Sequence, residues 1–482
     1  MNRRSIFLRF ADASDHAIRA RLSYALRVFA AVYGYTLAAD ASSAAVLLQY
    51  GEQAPTHPGQ KVLRVPTLYK SEPGVKRRVH RTVGVAGGTI PLFFGLEQDR
   101  SVPDWLGEIF VWLSGETERD VVARDAVGRV PFSETIFARE SLSPFRPYAS
   151  LLMAWLESAI QRGADTDELI PASSPAKDAS HLVVCSHDID YVYTKRTAAL
   201  RRLAKNLGIS IAQQSPSFFA SNCATLLKMF TGLRPGAYVA PMLQAIEGAG
   251  FRSTLFVVAE GAHRRDPEYA LADVTTELRD AVRRGFSVGL HGSYCSLAEN
   301  GSLPEESARL QEALGTRAQG GRQHWLRFAG YDALIRAVAA AGFAYDSSLG
   351  FAETCGFRNG ASFAFPPYDF GREQACDFLE IPLAVMDGSL IPAARQTGKT
   401  AQEVMDLVLS ESRRWGWGGI SVLWHNPMEP IQVPEEVNRV FWKSASERAQ
   451  RNERWTSVDE FLSVALGRYQ AAGLLKEVRC DA

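Results

Sequence analysis

The chain carries no surplus of either charge: 53 Lys and Arg stand against 53 Asp and Glu in 482 residues. That balance leaves no electrostatic footprint for nucleic acid or an anionic membrane, and it suits a small-molecule or neutral carbohydrate substrate. Cysteine is scarce. The six (Cys185, Cys223, Cys295, Cys355, Cys376, Cys480) are scattered without a CxxC pair, which excludes a disulfide framework in a chain of this size. No apolar run has the length of a membrane span. The N-terminus starts basic but meets Arg9 and Asp12 before a long apolar run forms, which makes a poor signal peptide. The expected setting is the cytoplasm, with reduced thiols, no nucleic acid and no membrane span.

What is present is ordinary globular material, 46% hydrophobic and 22% charged, too long for one core and therefore expected in two or three domains. Residues 1–163 read as a smaller mixed α/β unit without a catalytic signature. Ile6–Leu8 and Ala45–Leu48 are short strands with a helical pattern over His16–Ala38 between them, and amphipathic helices are expected at Trp105–Leu113 and Pro147–Gln161. A small, polar, proline-containing stretch, 164–180, reads as the linker. From 181 to 482 the rhythm changes. A helical stretch ends in glycine, an aromatic follows, and an apolar strand runs into polar residues, at Gly250-Phe251, Gly285-Phe286 and Gly342-Phe343. This alternation predicts parallel β/α units closing into a barrel or barrel-like sheet.

In such a fold the chemistry gathers at the C-terminal ends of the strands. The apolar run Leu182–Cys185 delivers Asp188 and Asp190, whose spacing points both carboxylates to one side of an extended segment. Acids so close repel and persist only around a cation or a shared proton, and both arrangements suit hydrolysis. An Asp-rich turn after a strand is the plainer alternative. Further along, His291 ends the strand Phe286–Leu290, and Arg322–Phe328 is a strand candidate carrying His324 and Arg327. Asp346 follows Tyr345, and His425 ends Ile420–Trp424.

The order of these segments resembles the polysaccharide deacetylases, the NodB-homology enzymes of carbohydrate esterase family four, over roughly residues 181–470. Asp188 and Asp190 match the Asp-x-Asp variant of that family's first motif, a catalytic base followed by a metal ligand. His291 matches the first histidine of the second motif, Arg327 the strand arginine of the third, Asp346 the acid of the fourth, and Leu423-Trp424-His425 the Leu-x-His of the fifth, which supplies the general acid. One departure stands out: the position four after His291 is Cys295, not histidine. His324 is the preferred third ligand, with His187 and Cys295 as the others to weigh.

The resemblance implies an α/β chain with a distorted (β/α) barrel of the NodB type behind the smaller N-terminal α/β unit. It implies a divalent ion, zinc being the natural candidate, on Asp190 and His291, and His324 is preferred as the third ligand because its strand neighbours that of His291 in a sequential barrel. Asp188 is then the base, oriented by Arg327, and His425 the acid, positioned by Asp346. The expected partner is an N-acetylated carbohydrate, deacetylated in surface-polysaccharide biosynthesis, with Trp424 as the foremost sugar-stacking residue. An amidohydrolase acting on a non-sugar C–N bond and a metal-free glycan-binding pseudoenzyme are the competing readings.

Overall fold

The computed structural model describes the chain apart from residues 1–3, 11–14, 51–59, 71–75, 86–87, 96–101, 163–180, 191, 193–195, 213–215, 231–238, 299–300, 329, 428–432 and 477–482. The linker expected at 164–180 therefore lies outside the described residues. Strands β1 (Ser5–Phe10), β2 (Thr36–Leu37), β3 (Val46–Tyr50) and β4 (Lys61–Val65) form an all-parallel sheet in the order β2-β1-β3-β4. The crossover helix His16–Tyr33 starts on Asp15, whose side chain accepts from Ala17 N, and stops at Gly34 with φ 70°. It is shorter than its apolar pattern suggested because the left-handed glycine ends it. An antiparallel hairpin, β5 (Arg81–Val85) and β6 (Gly88–Leu92), follows.

Helix Trp105–Leu113 departs from its expected amphipathic form: every residue in it is buried. Asp104 caps it by accepting from Gly107 N at 3.0 Å. The one charged residue, Glu108, accepts from Phe93 N and Phe94 N at 2.9 Å each. Burial nevertheless raises the Glu108 carboxyl to about 8, against the pull of those two amides.

The second sheet is built from β7 (His181–Ile189), β8 (Thr254–Val257), β9 (Ser287–Gly292), β10 (Gly320–Gln323) and β11 (Tyr345–Asp346). A small hairpin, β12 (Tyr368–Asp369) and β13 (Gln374–Ala375), interrupts the series. The sheet resumes with β14 (Leu379–Glu380), β15 (Leu383–Met386), β16 (Gly418–Leu423) and β17 (Glu453–Thr456). Its order is β14-β11-β10-β9-β8-β7-β16-β15 with β17 added to β7, and every pairing is parallel. Strands β14 and β15 belong to one continuous segment, 379–386. The two ends of the order therefore meet there, helped by a bridge between Gly350 and Leu383, and the sheet curls into a distorted (β/α) barrel. The Gly-aromatic rhythm works as expected, since Gly250, Gly285 and Gly342 sit at φ 80°, 81° and 61°, where a Cβ would be strained.

The N-terminal sheet and the barrel are not independent cores. Phe110, Leu151 and Leu152 share one apolar cluster with Phe363, Phe365, Trp417 and Phe461. Helix Tyr148–Arg162 is bound into the barrel's flank by Ala149 N donating to Gly360 O at 2.8 Å and by the Ser150 and Ser362 hydroxyls, 2.9 Å apart. Among the described residues no helix is long and apolar enough to cross a membrane.

Candidate metal centre

The barrel brings the C-terminal ends of β7, β9, β10 and β16 to one rim, so Asp188, Asp190, His291, His324 and His425 line a single cavity of about 320 Å³. The imidazoles are oriented from behind. His291 Nδ1 lies 2.9 Å from Arg322 O, so Nδ1–H donates to that carbonyl and Nε2 faces the acids with its lone pair. His324 Nδ1 lies 3.3 Å from Asp266 Oδ1, which leaves its Nε2 to face Asp190. An outer acceptor on each ring is what fixes a metal-ligating histidine.

The inner atoms are spaced too widely for hydrogen bonds among themselves. His291 Nε2 is 3.4 Å from Asp190 Oδ1 and 3.5 Å from Asp188 Oδ2, and His324 Nε2 is 3.6 Å from Asp190 Oδ2. Asp190 Oδ1 is buried and accepts no hydrogen bond from the protein. One ligand atom each from Asp190, His291 and His324 fall within 4.8 Å of one another. Acceptors converging on one point are the donor set of a divalent cation, and the residues fit one. Burial opposes the charge on Asp190, yet His324 and His291 hold its carboxyl well below the usual carboxylate range. Burial likewise opposes charge on His324, but Asp190 and Asp266 raise that ring to about 9.

Two expected partners are replaced by others. The strand expected over Arg322–Phe328 ends at Gln323; His324–Leu326 form a tight 3-10 turn in which Trp325 and Leu326 have φ 64° and 51°. Arg327 is thereby thrown out of the barrel, where its Nη1 donates to Tyr294 O at 2.8 Å and its guanidinium lies over the Tyr294 ring. It does not touch Asp188. Arg322 does, with Nη1 2.8 Å from Asp188 Oδ1. Its Nη1 also donates to Ser186 Oγ, its Nη2 to Ser347 Oγ and Ser421 Oγ, and its Nε to Ser347 O, all within 3.0 Å. Every guanidinium N–H thus has an acceptor, which compensates a cation that is fully buried. The signal was available, because an arginine two residues before the strand-end histidine shares its face.

Asp346 is also not where it was expected. It is buried in the barrel wall, where Ser348 N and Ser348 Oγ donate to it at 2.9 and 3.0 Å. It abuts Glu380 there, and burial raises both carboxyls. His425 is held instead by Asp387, which accepts from His425 N at 2.7 Å and lies 2.9 Å from Nδ1. Burial opposes charge on this ring, but Asp387, Asp190 and Asp188 raise His425 to about 10. Asp387 follows the apolar strand β15, the same strand-end pattern that marks Asp188, and that pattern is the signal by which the sequence could have given it.

The alternative ligands lie elsewhere. His187 Nδ1 points to Trp424 O at 2.6 Å and its ring packs on Phe441, while Cys295 is exposed and outside the cluster. Trp424 is 0% exposed and packs on Phe441, so it cannot meet a sugar; Trp325, 40% exposed, lines the cavity instead. The N-terminal segment also reaches the cavity. Arg129, whose Nε donates to Asp125 Oδ2 at 2.8 Å, forms part of its wall, so a unit without a catalytic signature in its sequence borders the cavity.

No protein-family model matches the chain, and no curated protein is found as a relative. Among solved structures, the chain is similar to the Bc1960 peptidoglycan N-acetylglucosamine deacetylase, at 10% identity over 60% of this chain and 90% of that one, with a TM-score of 0.31. It is similar to the peptidoglycan deacetylase PdaC from Bacillus subtilis, at 10% identity over 62% and 96%, TM-score 0.28. A family 4 acetyl xylan esterase from Clostridium thermocellum, in complex with cobalt, follows at 13% identity over 59% and 91%, TM-score 0.27. These three structures are named as deacetylases or as a family 4 acetyl xylan esterase.

Proposed function

We propose that this chain is a metal-dependent hydrolase that removes the acetyl group from an N-acetylated sugar, in the making of a surface polysaccharide. The observation that carries the reading is the placement of two unlike groups beside one three-ligand cage. Asp188, a carboxylate pinned by Arg322, lies with Oδ2 3.5 Å from His291 Nε2, and His425, a ring held protonated by Asp387, lies with Nε2 3.6 Å from Asp190 Oδ2. Asp190, His291 and His324 would hold the divalent ion, zinc being the favoured one. When bound there, such an ion supplies Lewis acidity toward a carbonyl oxygen and lowers the pKa of water.

The chain's own residues do the rest. Arg322 occupies Asp188 Oδ1, which leaves Oδ2 to take a proton from the attacking water. Water oxygen bonds to the acetyl carbon, the C–N bond breaks, and His425 Nε2 gives its proton to the departing amine. Asp387 keeps Nδ1–H in place and stabilises the imidazolium until the transfer. Trp325 offers the exposed ring on which a sugar face can stack.

A complete set of ligand atoms argues against the pseudoenzyme reading. The test is acetate release from N-acetylglucosamine oligomers by the zinc- or cobalt-loaded protein. Release should stop on chelation, return on adding the ion, and be lost in Asp188→Asn with the ion still bound. Cleavage of cyclic ureides without acetate release from any N-acetylated sugar would transfer the proposal to the amidohydrolase reading.

A further inference from the structure

The chain's neutrality hides one strongly polarised segment. Between Asp190 and Glu247 there is no acidic residue, while Lys195, Arg196, Arg201, Arg202, Lys205, Lys228 and Arg234 are all basic. This stretch contains a pair of helices, Arg196–Ala212 and Pro216–Phe230, between β7 and β8. The two helices hold each other through a small cluster of their own, Ala199, Leu203 and Met229, and through Asn206 Nδ2 donating to Asn222 Oδ1 at 3.0 Å. Their outer faces are apolar. Leu200, Ala204, Leu207 and Ile211 share one side of the first helix at helical spacing, as Phe219, Cys223 and Phe230 do on the second.

Those faces are open. Leu200, Ile211, Phe219, Leu227 and Phe230 are 43%, 68%, 40%, 69% and 78% exposed, and they make up most of the large apolar side chains exposed among the described residues. Scattered exposed leucines need no explanation, but a concentration on one helix pair flanked by unbroken positive charge does. Exposed apolar residues on a segment whose own charges are all positive are the composition of a helix that lies on an anionic membrane.

We infer that the helix pair 196–230 docks the protein on an anionic lipid surface. Charge decides the occupant: a second copy of the chain meeting this face about a two-fold axis would set one basic segment against another. The orientation follows from the fold. The helix pair leaves the end of β7 that carries Asp190, and Arg201 pairs at 3.2 Å with Glu268, two residues from the Asp266 that backs His324. Docking would therefore bring the mouth of the cavity near the headgroups.

The test is co-sedimentation of the full chain with vesicles of phosphatidylcholine alone and of phosphatidylcholine mixed with phosphatidylglycerol. Binding is expected to the mixed vesicles only and to weaken as salt rises. Arg201→Glu with Lys205→Glu should reduce it roughly tenfold or more, since each basic residue near such a surface contributes on that scale. Phe219→Ser with Phe230→Ser should do likewise, with circular dichroism and metal content unchanged in both variants. The inference is overturned if neither vesicle sediments the protein. It is overturned equally if sedimentation velocity reveals a dimer that the phenylalanine variant makes monomeric.

Discussion

His425→Ala should retain its metal and lose about a hundred- to ten-thousandfold in kcat, the range over which a positioned general acid contributes. An amine leaves an amide poorly unless it is protonated, and the remaining cavity histidines, 291 and 324, belong to the ligand set proposed for the ion. Asp387→Asn should be impaired in the same sense but less severely, because it leaves a hydrogen-bonding partner for Nδ1 while withdrawing the charge that keeps the ring protonated. The contrast has a second readout. In Asp387→Asn the alkaline limb of the rate profile should move to lower pH, whereas a residue that merely packed against His425 would leave that limb where it was. Steady-state rates across pH, with metal content measured for each variant, check both.

The second large effect concerns protons and the cation. In the metal-free protein His324 is raised from 6.5 to about 9, so at neutral pH its ring is charged. A ligand nitrogen must carry a free lone pair, and binding of the ion therefore expels that proton. Affinity should climb about tenfold for each unit of pH between neutrality and about 9, then level off, with about one proton released per ion at neutral pH. The stability consequence has a definite sign. A folded-state value above the unfolded one stabilises the metal-free protein fully below 6.5, and that contribution is lost as pH rises through about 9. The chelated protein should thus lose thermal stability from pH 6.5 to 9, while the loaded protein gains on it over the same interval. Calorimetric titrations in buffers of different ionisation enthalpy, with melting curves for both forms, measure this.

Much of the site was legible because strand ends announce themselves. An apolar run that breaks on a polar residue told where Asp188, Asp190, His291 and His425 would gather, and the Gly-aromatic punctuation located the helices between them. What failed was the reach of single elements. Gly320–Gln323 is a short strand followed by a turn with two left-handed non-glycine residues, which nothing in its composition announces. Running the strand on to Phe328 moved the arginine's role from 322 to 327. Asp346 and Asp387 both follow apolar strand residues, so sequence alone could not say which one met His425. The choice was made by the crossing of segment 379–386 from β11 to β16, a long-range event. The approach of Arg129 is of the same kind, since it depends on how the N-terminal region folds over the barrel rather than on its local pattern.

The central claim is that Asp190, His291 and His324 hold one divalent ion beside Asp188. Anomalous diffraction from crystals soaked in zinc or cobalt tests it most directly. A single strong peak is expected within bonding distance of all three side chains, and it should vanish in Asp190→Ala. A cavity that stays empty at saturating metal, or a peak bound by other residues, would contradict the account.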